Sequence, residues 1–219
     1  MRQQLRFADP EAMLSAAEAE MKGIASEELF NNPKHQPLLD RWCAGSFAVA
    51  YALHMGECRV AMEPSEAPSD ADFHLRVGVG AFPFQTVEAQ RPGRRRGEEY
   101  RQPSTLTPYR PAAEGTDGPG WIRGAVQKKV EKRYSTARQL NLLVYADFTT
   151  EQLEWATVAH ELERFRDEFA SLWVITYGAL GTVFSTPELG CVGLCTGWGV
   201  YRSAPFAPAL VLRRKRQPT

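Results

Sequence analysis

Two apolar runs, NLLVYAD at 141–147 and SLWVITY at 171–177, constrain this chain more than any other feature. Neither alternates polar with apolar residues, so each reads as a strand buried on both faces, the pattern of parallel strands sheltered by helices. A helix is predicted between them, capped at Thr149 or Thr150, with Glu151 and Glu154 in its first turns, and running to about Ala170. Upstream, WIRGAVQKKVEKRYSTA (121–137) reads as another helix, because Ile122, Val126, Val130 and Tyr134 recur on one face. Lys128 and Lys132 are expected to point away from that face, with Lys129 and Arg133 on its flank. A short strand, GTVFS at 181–185, follows the second run. Alternating strands and helices argue for parallel pairing with right-handed crossovers, hence an α/β chain with a mixed sheet flanked by helices.

The N-terminal part reads as helical. Residues 9–31 are rich in Ala, Glu and Met, with Asp9 as cap and Pro10 at the first helical position. After a break at Asn31-Asn32-Pro33, a strongly apolar helix is predicted from about Gln36 to about Met55. CRVAMEP (58–64) reads as a short strand. Residues 91–120 lose apolar periodicity and read as one long loop, and 186–219 read as an extension of edge strands and a basic tail. With 219 residues, 43% of them hydrophobic, a single domain spanning 1–219 has enough material for one core.

The stretch PSDADFHLRVGVGAFPFQTVEAQRPGRRR (68–96) carries the chemistry. Asp72, His74 and Arg76 alternate with Phe73, Leu75 and Val77; Glu88 and Gln90 alternate with Val87 and Ala89. With period-two strands, and with Gly78, Gly80 and Pro83 supplying the turn, one face of this hairpin is expected to be apolar. The other is expected to carry Asp72, His74, Glu88 and Gln90. Two carboxylates brought together on paired strands offer oxygen ligands to a hard cation such as Mg²⁺ or Mn²⁺.

Asp72-Phe73 followed by Glu88-Ala89-Gln90 resembles the motif of the PD-(D/E)XK phosphodiesterase superfamily, an Asp opening one strand and Glu-x-Lys closing the next. The order of predicted elements over roughly Glu27 to Ser185 also resembles that superfamily. The resemblance implies a restriction-endonuclease-like αβββαβ core with an N-terminal helical extension. It also implies a metal-dependent nuclease hydrolysing DNA phosphodiester bonds, with Asp72 and Glu88 as metal ligands. Gln90 stands where the superfamily has Lys: it can hydrogen-bond a water but carries no charge. Lys129, from the following helix, would replace that charge. Arg91, Arg94, Arg95 and Arg96 directly follow Gln90 and read as phosphate contacts. The alternative is a catalytically inactive protein of the same fold that binds nucleic acid or a protein. A structural or assembly protein is a third reading.

Composition removes other classes. Lys and Arg total 26, as do Asp and Glu, so the net charge is zero and only local clusters can draw nucleic acid. No apolar run approaches a membrane span, and MRQQLRFADPEAM lacks the apolar centre of a secretory signal. The expected setting is therefore cytoplasmic, with nucleic acid as partner (DNA ahead of RNA), no membrane, and a homodimer left open. Cys43, Cys58, Cys191 and Cys195 show no Cys-x-x-Cys spacing and read as reduced thiols. Neither phosphate-binding glycine loops nor a G-x-S-x-G elbow occur, which disfavours ATP use, dinucleotide redox chemistry and the α/β-hydrolase reaction.

Overall fold

The computed structural model describes residues 5–64, 69–90, 117–132, 139–146, 154–176, 179–191 and 193–196. Its first helix, α1 (Pro10–Met21), begins where Asp9 accepts the Ala12 N–H and Pro10 fixes the first helical φ. A short α2 (Ser26–Asn31) and a 3₁₀ turn lead into α3 (Gln36–Met55), a twenty-residue helix buried continuously from Cys43 to Tyr51. Gly45 lets α1 cross α3 closely: a Cβ there would lie 3.1 Å from the Leu14 backbone.

Then come β1 (Arg59–Met62), β2 (Phe73–Val77) and β3 (Gly80–Ala89), followed by α4 (Gly118–Glu131) and β4 (Asn141–Ala146). Helix α5 (Trp155–Leu162), β5 (Ser171–Thr176), β6 (Ala179–Phe184) and β7 (Cys195–Thr196) complete the described elements. They form one mixed sheet in sequence order, β1 to β7, among the described residues. The pairs β1–β2 and β2–β3 are antiparallel, β3–β4 and β4–β5 parallel, and β5–β6 and β6–β7 antiparallel. The two apolar runs are the two adjacent parallel strands β4 and β5, every residue of which is buried.

Alternation splits the core into two layers. Phe73, Leu75, Phe84, Leu143, Tyr145, Trp173 and Ile175 pack against Phe47 and Tyr51 of α3. Ala89, Leu142, Val144, Leu172 and Val174 pack on the other face against Ile122 and Val126 of α4 and Val158 and Leu162 of α5. At the start of the parallel strands the Asn141 amide donates to Pro83 O (2.9 Å), and Ser171 Oγ donates to Asn141 Oδ1 (2.6 Å). These bonds tie three strands into register.

Three expectations differ from the structure. The hairpin turns on Gly78-Val79 alone, Val77 pairing with Gly80; Pro83 lies inside β3 opposite His74. If Val77↔Gly80 is a hydrogen-bonded pair, Leu75↔Phe82 and Phe73↔Phe84 are too, and Pro83 falls at a position that needs no N–H. Helix α4 begins at Gly118 rather than Trp121, because Asp117 accepts the Gly120 N–H (2.7 Å) and Pro119 suits a first turn. Helix α5 ends at Leu162, not near Ala170, and tightens into a 3₁₀ turn over Glu163–Phe165 that buries Phe165 three residues after Leu162. The parallel pairing expected from strand–helix alternation is found for β3–β4 and β4–β5, while β6, which follows β5 without a helix, is antiparallel to it. Thr149, Thr150 and the basic tail lie outside the described residues.

Candidate functional site

The site forms where β2 parts from β3. The ladder runs as far as Phe73↔Phe84 and then breaks. Asp72 N donates to Phe84 O (2.8 Å), and the Thr86 N–H donates to Asp72 Oδ2 (2.6 Å), taking a side-chain acceptor in place of a backbone one. A strand N–H lies in the plane of the sheet. This bond therefore brings the carboxylate of Asp72 into that plane, at the strand end, instead of leaving it on one face.

The two-residue turn pairs residues of opposite parity: Phe73 with Phe84, His74 with Pro83. The expected shared polar face of Asp72, His74, Glu88 and Gln90 is thus overturned. His74 falls on one face and bonds Glu63. Glu88 and Gln90 follow Phe84 and Thr86 onto the α3 face, where Glu88 stands beside Tyr145 of β4. The Asp72 carboxylate, held in the plane of the sheet by Thr86 N–H, belongs to neither face. Glu88 is half-buried, and Gln90 is exposed just beyond the end of β3. Arg91, Arg94, Arg95 and Arg96 lie outside the described residues.

Charge gathers around Asp72 from both sides of the sheet. Burial raises its pKa above the usual carboxylate value, opposed by the Thr86 N–H and then by the positive charges of Lys129 and Lys132. Burial lowers the pKa of Lys129 on α4; Asp72 opposes that shift, Lys132 adds to it, and Asp40 opposes it. Asp40 stands near the N-terminus of α3, on the other layer. Burial raises its pKa, the Gln36 amide (2.8 Å) lowers it, Asp72 raises it and Lys129 lowers it. Asp40, Asp72 and Lys129 therefore feel one another through the fork between β2 and β3.

Lys129 is half-buried as a flank position allows, whereas Lys132, expected to point away, contributes to the field at Asp72 from the C-cap of α4. Asp40 escaped sequence reasoning. The available signal was its being the sole carboxylate in the predominantly apolar stretch QPLLDRWCAGSFAVAYALHM. Two further oxygens, Gln85 Oε1 and Thr86 Oγ1, are buried in this region without a hydrogen-bond partner.

The donor chemistry suits a hard cation. Mg²⁺ takes one or two carboxylates and retains several waters, so Asp72 with Glu88 fits it in kind. Among the described residues no three His, Cys, Asp or Glu side chains make a ready metal cage, and no helix is long and apolar enough to cross a membrane. None of the four cysteines is in a disulfide, and Cys43 and Cys58 are buried. None of the protein-family models, curated proteins or solved structures compared with this chain matches it.

Proposed function

We propose that the fork between β2 and β3 is the centre of a metal-dependent phosphodiester hydrolase acting on DNA, built on a restriction-endonuclease-like core. The observation that carries this reading is the in-plane carboxylate of Asp72, within the electrostatic reach of Lys129 on α4 and Asp40 on α3. The order α3-β1-β2-β3-α4-β4, with an antiparallel hairpin feeding a parallel strand, supports the reading, being compatible with the αβββαβ core that the Asp72…Glu88-Ala89-Gln90 resemblance implies.

Asp72 and Glu88 would hold Mg²⁺ or Mn²⁺. When bound, the ion would polarise a phosphoryl oxygen and lower the pKa of a coordinated water. Thr86 N–H takes Oδ2 of Asp72, so Oδ1 would be the oxygen offered to the ligand. Lys129 brings a positive charge to the same point, where negative charge would develop on the phosphoryl group. Gln90, exposed at the end of β3, would hold a water by hydrogen bonding alone. Arg91 to Arg96 continue the chain from there and would carry the DNA backbone past the fork.

Cleavage of plasmid and linear DNA with Mg²⁺ and Mn²⁺ tests this. Wild type is expected to cut, Asp72→Ala to lose all metal-dependent cutting, Lys129→Ala to slow it while leaving metal affinity largely intact, and Gln90→Lys to retain or raise it. Because Gln90 lacks the superfamily's charge, the competing reading is a binding module without catalysis. An inert wild type whose DNA affinity is unchanged by Asp72→Ala would replace the enzyme with that module.

A further inference from the structure

The carboxylate of Asp72 sits at the end of a chain segment that emerges from a loop, yet its placement is closely specified. Three consecutive residues of β3 grip two residues just ahead of β2, Asp70 and Asp72. Phe84 O accepts from Asp72 N (2.8 Å), the Gln85 side chain donates from Nε2 to Asp70 O (2.9 Å), and Thr86 N donates to Asp72 Oδ2 (2.6 Å). The first and third bonds use β3's main chain and would be offered by nearly any residue there. Only the second depends on which side chain β3 carries.

Gln85 is only 5% exposed, and its Oε1 has no donor. As core packing this is a poor choice, since a buried acceptor without a partner destabilises the fold. Methionine would fill a similar volume and bury no polar atom of its own. What the amide provides and methionine cannot is a hold on the carbonyl two residues before Asp72. We propose that Gln85 is the positioning residue of the site: by fixing Asp70 it holds the Asp72 carboxylate against Thr86 N–H, which commits Oδ2 to the protein and presents Oδ1 to the ligand. This inference rests on the reading of Asp72 as the central carboxylate, but its test uses neither DNA nor metal, so it can fail while the hydrolase reading stands, and the reverse.

The test is amide hydrogen exchange and the amide proton shift of Thr86, read by NMR in the full chain. Gln85→Met, with Gln85→Asn as a second variant too short to reach Asp70, is expected to lower the protection of Thr86 by about tenfold, the scale of one lost hydrogen bond, and to move its proton upfield. Core amides such as those of Leu143 and Val144 should keep their protection. In an Asp72→Ala background the same substitution should change Thr86 exchange less than about twofold, because the acceptor it positions is already gone. Unchanged Thr86 exchange in both variants, or an equal loss with and without Asp72, would overturn the proposal.

Discussion

Gly181 lies in β6, opposite Val174 of β5, in a strand hydrogen-bonded on both sides. A Cβ built on Gly181 would lie 2.2, 2.5 and 2.7 Å from three carbons of the Trp155 indole, at the start of α5. Ordinary carbon–carbon contact is about 3.5–4.0 Å. Gly181→Ala therefore demands a retreat of at least about 1.3 Å, and the doubly paired strand cannot supply it. The indole must move, and it packs against the α4–α5 core layer. Overpacking of this kind costs about 1–3 kcal/mol. Taking about 2 kcal/mol, and about 2–4 °C per kcal/mol for a chain of this size, the melting midpoint should fall by about 4–8 °C. Circular dichroism melts of wild type, Gly181→Ala, Trp155→Leu and the double variant form a cycle. The double variant should recover part of the loss, because a leucine in place of the indole leaves room for the methyl group. A midpoint for Gly181→Ala within about 1 °C of wild type, with Trp155→Leu costing the same in either background, would refute the argument that the glycine is required by the indole.

The fork should leave its mark on the pH dependence of stability. Asp40 and Asp72 have pKa values raised in the fold, so their contribution is fully present below about 3.8, the unfolded value, and is lost as pH rises through the raised ones. Urea titrations across that window should show Asp72→Asn gaining on wild type as pH rises, and a constant difference would count against the burial of this carboxylate. Lys129 has the opposite sense: its contribution is present above about 10.5 and lost as pH falls through its lowered value. Burial pushes the Cys58 thiol up to about 12, whereas Cys191 is exposed. In the folded protein at about pH 8 a thiol reagent should modify Cys191 first and reach Cys43 and Cys58 only on unfolding; rapid modification of all four would contradict the packing of α3 on β1. Replacing Arg94, Arg95 and Arg96 by Ala should weaken DNA binding equally across sequences and reduce the salt slope by up to about 3, whereas an unchanged slope would assign the cluster to solvated surface.

Much of the scaffold was legible because its signals are local and strong. Asp9-Pro10 starts a helix by capping and ring geometry, and a long apolar stretch without strand alternation makes α3. The runs at 141 and 171 need burial on both faces, which only the middle of a sheet provides. What was not legible depends on a count of residues or on distance in space. The face of Glu88 relative to His74 is set by whether the turn holds two residues or three, and the glycines and proline at 78, 80 and 83 leave that open. Gly118-Pro119-Gly120 resembles loop sequence, yet Asp117 and Pro119 are start signals, and the helix begins there. Asp40 lies 32 positions before Asp72, and only the packing of α3 over the fork brings the two within electrostatic reach.

The Gly78-Val79 turn has a consequence for how this chain can change. Strand β3 is anchored by its parallel partner β4, so a residue inserted beside Val79 cannot be absorbed by sliding β3. Either the loop widens to three residues with both strands kept in place, or β2 shifts by one position, which would turn Phe73 and Leu75 out of the aromatic layer under α3 and bring His74 and Arg76 into it. The tip of the hairpin, with Val79 fully exposed, has room for the wider loop. The aromatic layer therefore makes slippage the costlier outcome, and the loop is where added residues should go. A library of tip insertions ranked by folded yield should decline smoothly with insert length, and a yield that alternates with odd and even lengths would show that β2 slips instead.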